Sequence, residues 1–120
     1  MTPKDIEVVE ALRANAVGFN NLFHAIQRVT SLEQKTLEQL AMKTAEETGE
    51  LNQAVLSFMK APGCAYKNKT REDVDEEAVD VILCAAAVLF RNQSRPNFEL
   101  SELMERKLKA WLDKVVKEIK

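Results

Sequence analysis

Glycine and proline are scarce in this chain, three of each in 120 residues, and no segment alternates apolar and polar residues with period 2. So little turn chemistry and so little strand pattern exclude an all-β domain and leave an all-α one. Cysteine is scarcer still. Cys64 and Cys84 belong to no C-x-x-C or other zinc-type spacing, which argues against a zinc site and for a reduced, cytoplasmic setting. His24 is the single histidine, so the Glu-x-x-His pairs of a di-iron carboxylate bundle are excluded. No basic segment followed by an apolar one opens the chain, and no secretory signal is expected. The longest uncharged apolar run, Val81 to Phe90, has ten residues; it covers about half a membrane span and reads as a buried core helix. A net charge of -2 gives no electrostatic reason to expect nucleic acid or an anionic membrane as partner.

What the chain has is 46% hydrophobic and 30% charged residues, the make-up of one ordinary globular domain over residues 1–120. Four helices are expected. The first runs from about Asp5 to Val29 with a break near Gly18, and Thr2-Pro3 supplies its start. Ser31 and Gln34 have the spacing of a capping box for a long second helix that ends at Lys60, before Ala61-Pro62-Gly63. Thr70 caps a third helix, Arg71 to Arg91, whose early acids Glu72, Asp73 and Asp75 suit a helix N-terminus. A fourth runs from about Phe98 to Lys117 and buries Leu100, Leu103, Met104, Leu108, Trp111, Leu112, Val115 and Val116.

Against this apolar background two acidic pairs stand out, Glu47-Thr-Gly-Glu50 and Glu77-Ala-Val-Asp80. At about 100° per residue each i, i+3 pair projects from one side of its helix, so two packed helices would converge four carboxylates. Leu37, Leu40, Ala41, Leu51, Val55 and Phe58 form the apolar stripe of the second helix, and Glu47 lies about 40° from its centre, pointing inward. Glu50 falls at the edge, with Glu46 further round toward solvent or a second subunit. Gly49 suggests close approach by a neighbouring backbone or ligand. Asp80 lies beyond the reach of helix-terminus electrostatics and adjoins the apolar run, where an isolated carboxylate would cost several kcal/mol. Two explanations stand side by side. Lys43, Lys107 or another cation neutralises these acids in a structural ion pair, or a hard divalent metal does so. An all-oxygen ligand set favours magnesium or manganese, which points to phosphoryl or pyrophosphoryl chemistry on a nucleotide.

The strings Lys43-Thr-Ala-Glu-Glu-Thr-Gly-Glu-Leu51 and Glu76-Glu-Ala-Val-Asp-Val-Ile-Leu83 resemble the all-α MazG-like nucleoside triphosphate pyrophosphohydrolases. That family carries E-x-x-E, a variable loop, then E-x-x-D. The resemblance implies a four-helix bundle-like fold in a homodimer or dimer of dimers. It implies hydrolysis of a nucleoside triphosphate to the monophosphate and pyrophosphate in nucleotide-pool house-cleaning. It also implies magnesium, with manganese as a substitute, held by Glu47, Glu50, Glu77 and Asp80, and either Glu47 or Glu50 as the base that activates water. Phosphoribosyl-ATP pyrophosphohydrolases share the motif, and a non-catalytic helical interaction module that keeps the acids for ion pairing is the alternative of a different class.

Substrate contacts are expected from positive charge and from aromatic or amide groups. Lys67, Lys69 and Arg71 in the loop between the acidic pairs, with Arg106, Lys107 and Lys109 in the last helix, are the phosphate candidates. Lys107 stands where the family has a last-helix lysine, but Trp111 occupies the place of the asparagine that follows it there. Phe19, Asn20, Phe23, His24 and Gln27 are the candidates for meeting the base. The apolar run from Val81 to Phe90 exceeds what one partner helix covers, which independently suggests self-association.

Overall fold

The computed structural model of the chain describes residues 21–119, together with Pro3. Among these residues the structure is all-α: α1 (21–32), α2 (Leu37–Phe58), a 3-10 turn (Ala65–Lys67), α3 (Arg71–Asn92) and α4 (Asn97–Ile119), with no strand. The expected start of the first helix and the break near Gly18 lie outside the described residues. Asn21–Asn92 form one compact unit, and α4 belongs to a second.

Helix α1 continues three residues past the expected end, to Leu32. Ser31 is therefore part of its last turn and donates to the Arg28 carbonyl at 2.6 Å instead of capping the next helix. The capping box falls five residues later: the Gln39 N–H donates to Thr36 Oγ1 at 3.2 Å, and the Thr36 N–H donates to Gln39 Oε1 at 2.9 Å. Each satisfies a backbone or side-chain group that a bare helix end leaves open.

The inner face of α2 follows alternating three- and four-residue steps through Leu37, Leu40, Thr44, Glu47, Leu51, Ala54 and Phe58, all buried or half-buried. Helix α3 presents the same rhythm through Val74, Glu77, Val81, Cys84, Val88 and Arg91, all half-buried. Such spacing is a seam that keeps facing one partner. The two helices form an antiparallel pair: Arg71 lies over Phe58, Cys84 lies beside Glu47, and Arg91 reaches Thr30 and Glu33. Ala41 and Val55, expected in the α2 stripe, are exposed because they sit one position off this seam. The Val81 to Phe90 run is not covered all round by the described chain either. Ala86 and Phe90 are buried, whereas Ile82 and Leu83 face outward with Val79 on a separate stripe.

Arg91 locks α1 onto this pair. Its Nη2 donates to the Thr30 carbonyl at 2.8 Å, which also accepts from the Glu33 N–H, and to the Glu33 carbonyl just past the end of α1. Phe23 of α1 meets the Phe90 ring edge-on at a centroid distance of 6.3 Å. At the other end α2 finishes in a Schellman motif: the Ala61 N–H donates to the Leu56 carbonyl and the Lys60 N–H to the Ser57 carbonyl. Thr70 caps α3 as expected, accepting from the Asp73 N–H while Asp73 Oδ2 accepts from the Thr70 N–H.

In α4, Leu100 is buried and Leu103, Leu108, Leu112 and Val116 are half-buried, whereas Met104, Trp111 and Val115 are exposed, contrary to the expectation that all eight are covered. The covered residues form a narrower stripe than the full apolar arc of the helix.

The Schellman motif places Lys60 at φ 59°, a left-handed conformation in which a Cβ crowds the following carbonyl. Lys60→Gly relieves that strain and stabilises the fold by about 0.5–1 kcal/mol. The expected outcome is a rise of about 2–5 °C in the thermal unfolding midpoint followed by circular dichroism.

Candidate metal centre

Glu47 occupies a seam position of α2, where a hydrophobic residue would ordinarily sit. It is 8% exposed, the most buried charged residue among those described. Across the seam Glu77 is half-buried, and Asp80 follows one turn later at the exposed edge. One carboxylate oxygen from each of Glu47, Glu77 and Asp80 lies within 4.8 Å of the others. The antiparallel packing thus brings the two sequence-distant motifs together, as their spacing suggests.

Glu50, the fourth expected ligand, is exposed and stands outside this triad. It is still within its field. The neighbouring Glu47 carboxylate, and to a lesser degree Glu77, push the Glu50 carboxyl above the usual glutamate range.

Cation supply is thin. Lys43 Nζ lies 3.2 Å from Glu47 Oε1, one helical turn away. Among the described residues no basic side chain comes within 4 Å of Glu50, Glu77 or Asp80. Glu47 Oε2 and Glu77 Oε2 are buried and have no hydrogen-bond partner. Unpaired buried carboxylate oxygens are costly, and here two of them belong to acids of the same cluster. The structural ion pair expected of Lys43 therefore exists, but it satisfies one oxygen of one acid.

The residues present fit a hard divalent ion. All donors are oxygens, and bonds of about 2.1 Å to magnesium require ligand oxygens no more than about 4.2 Å apart, a contraction that side-chain rotation across the triad supplies. Cys84 lies beside the cluster, where burial above all, and then the Glu47 charge, push its thiol up. Gly49 has open space around its Cβ position, with no atom of the described chain within 4 Å. The close approach by a neighbouring backbone suggested for it is absent among the described residues.

Of the expected phosphate contacts, Lys67 is the one the fold brings near. Its Nζ donates to Gln53 Oε1 at 2.7 Å, and Gln53 lies one turn beyond Glu50 on α2, about 4.5 Å along the axis. Lys69 is pinned through its backbone, whose N–H donates to Ser57 Oγ at 3.0 Å. Arg71 is not brought to the cluster: its guanidinium covers the Phe58 ring at 5.6 Å, and it starts α3 roughly 13 Å along the axis from Asp80. His24 lies on the exposed side of α1, while Phe23, its neighbour, is spent on Phe90. Gln27 is half-buried, and Phe19 and Asn20 lie outside the described residues. Lys107 is an exposed residue of α4, in the second unit, as are Arg106 and Lys109; Arg106 lines a surface hollow with Arg95 and Phe98.

Sequence reasoning missed Gln53 as the acceptor for Lys67 and Cys84 as a neighbour of the cluster. The signal for both was periodicity: Gln53 is three residues after Glu50, and Cys84 seven after Glu77.

No helix among the described residues is long and apolar enough to cross a membrane. No family model matches the chain, and neither a curated protein nor a solved structure matches it.

The raised proton affinity of Glu50 has a sign. A carboxyl whose folded value lies above its unfolded value stabilises the fold below the unfolded value and loses that contribution as the pH rises through the folded one. Glu50→Gln removes the repulsion that ionised Glu50 suffers. In EDTA at pH 7 its thermal midpoint is expected above that of the parent protein, with the gain shrinking as the pH falls toward about 4.3. Equal midpoints at pH 7 would mean that the neighbouring charges do not reach Glu50.

Proposed function

We propose that this chain is a magnesium-dependent pyrophosphohydrolase that converts a nucleoside triphosphate to its monophosphate and pyrophosphate. The observation that carries the reading is the pair of buried, unpartnered oxygens on Glu47 and Glu77 beside Asp80. Its reaction type comes from the likeness of the Lys43–Leu51 and Glu76–Leu83 strings to the MazG-like family. Glu47, Glu77 and Asp80 would hold the ion, with Glu50 at the rim. Magnesium or manganese there supplies charge neutralisation for a triphosphate and a more acidic water.

The protein's own groups divide the remaining work. Of Glu47 and Glu50, Glu50 is the one placed to act on a water, because it is exposed while Glu47 is enclosed in the seam. Its carboxylate takes the proton of the attacking water, and Glu47 is kept for binding. Lys67, steadied by Gln53, would meet the phosphates. Lys69, Lys107 and His24 are secondary candidates for phosphate and base, and Arg71 is committed to Phe58.

Self-association belongs to the same proposal. Val79, Ile82 and Leu83 form an outward apolar stripe on the helix that carries Glu77 and Asp80, a surface suited to a second copy. Size-exclusion chromatography with light scattering is expected to give a dimer or larger. A monomer at micromolar concentration counts against it.

A non-catalytic helical module has one observation in its favour, the Lys43–Glu47 ion pair. The decisive measurement is magnesium-dependent pyrophosphate release from a panel of canonical and modified nucleoside triphosphates and phosphoribosyl-ATP. Glu47→Gln and Asp80→Asn are each expected to reduce release by at least about 100-fold with helical content unchanged. Full activity in both variants, or no release from any substrate by the parent protein, would remove the enzymatic reading.

A further inference from the structure

Lys43 is the one charged group at the centre to which the hydrolytic reading gives no part. Its ammonium lies 3.2 Å from Glu47 Oε1 and 3.8 Å from Glu46 Oε2. Helix electrostatics alone does not account for the closer pair, because a lysine four residues before a glutamate is the less stabilising order on an isolated helix. Burial does account for it. The Glu47 side chain is 10% exposed and its other oxygen, Oε2, has no partner, so Lys43 is the only described cation that reaches this carboxylate.

The same carboxylate faces Glu77 and Asp80. An ammonium on Oε1 and a divalent ion on Glu47 bring like charges within a few ångströms of each other, and both draw on the same anion. Lys43 has somewhere to go. Its side chain is 44% exposed, its four-carbon stem is flexible, and Glu46, more exposed than Glu47, already stands within 4 Å.

We propose that Lys43 is the internal counter-ion of the metal centre: it neutralises Glu47 in the cation-free protein and is displaced toward Glu46 when a divalent cation takes Glu47, so that the two states exclude each other. The inference rests on the metal-binding part of the function proposed above and not on hydrolysis. It makes Lys43 a positioning residue that offsets the Glu47 charge facing α3 when the centre holds no ion, and sets how tightly an ion is held.

The test uses the full chain and manganese(II), with free ion counted by electron paramagnetic resonance. Lys43→Met is expected to bind manganese about two- to fivefold more tightly than the parent, the change equivalent to losing one competing ion pair of this kind. Its thermal midpoint in EDTA is expected to fall, and its gain in midpoint on saturation with magnesium to exceed the parent's. Lys43→Arg, which keeps the pair, should stay close to the parent, and Lys43→Gln substitutes for the methionine variant if that one fails to fold. Lys35→Met removes a charge paired with Glu33 and is expected to leave manganese affinity unchanged. Equal tightening by Lys35→Met, or no tightening by Lys43→Met, overturns the exchange while leaving the metal centre standing. Absence of manganese binding in the parent protein overturns both.

Discussion

Repulsion between carboxylates placed at seam positions of an antiparallel helix pair is the constraint around which the Asn21–Asn92 unit is arranged. Glu47 and Glu77 interrupt apolar rhythms that would otherwise zip α2 to α3 along their whole length. Two like charges facing each other in a partly dry interface push the helices apart. The fastenings lie on either side of them. Toward the connecting loop, Arg71 covers Phe58 and Ser57 accepts from the Lys69 backbone; toward the opposite end, Arg91 binds two carbonyls at the end of α1, and Phe23 packs on Phe90. The acids are held together by what surrounds them, which is the condition for a preorganised ion site.

Three helix ends of the unit are closed by side-chain or backbone devices that satisfy groups a helix end leaves open: Thr36 with Gln39, the Lys60 left-handed turn, and Thr70 with Asp73. The connecting loop adds Asn68 in a left-handed conformation, φ 51°, after the 3-10 turn, a role asparagine fills with less strain than most residues. The chain thus uses Lys60 where glycine would sit more easily and asparagine where it is suited, and the first of these is a local concession rather than a functional demand.

The helical class, the extents of α3 and α4 and the inward direction of Glu47 were legible because each rests on periodicity, which a sequence carries explicitly. The start of α2 was not. Ser31-x-x-Gln34 and Thr36-x-x-Gln39 both have capping-box spacing within nine residues, and the choice between them depends on how far α1 runs. A contact sixty-one residues away, Arg91 to Thr30, takes part in fixing the end of α1. Coverage was misjudged for a similar reason. Apolar character placed Ala41, Val55, Met104 and Trp111 inside, but burial depends on the width of the surface a partner offers, which one helix's sequence does not encode. In the candidate centre, the convergence of Glu47, Glu77 and Asp80 followed from spacing, whereas the exposed position of Glu50 at the edge of the cluster and the capture of Arg71 by Phe58 depend on packing.

The choice between an ion-pair cluster and a metal centre turns on a charge balance. Four carboxylates, Glu47, Glu50, Glu77 and Asp80, gather where a single ammonium, Lys43, stands among the described residues. Clusters built for ionic cohesion alternate sign, because each buried charge needs an opposite one to offset its desolvation. One lysine, itself shared with Glu46, does not offset these acids, and the two unpartnered oxygens lie on the two most enclosed of them, Glu47 and Glu77. An ion-pair role would place further lysine or arginine on the facing turns of α2 and α3. Instead Lys67 is drawn to Gln53 and Arg71 to an aromatic ring. A divalent cation at Glu47, Glu77 and Asp80 would offset more of that charge than Lys43 does, whose single charge and single short contact leave the opposite side of the cluster open.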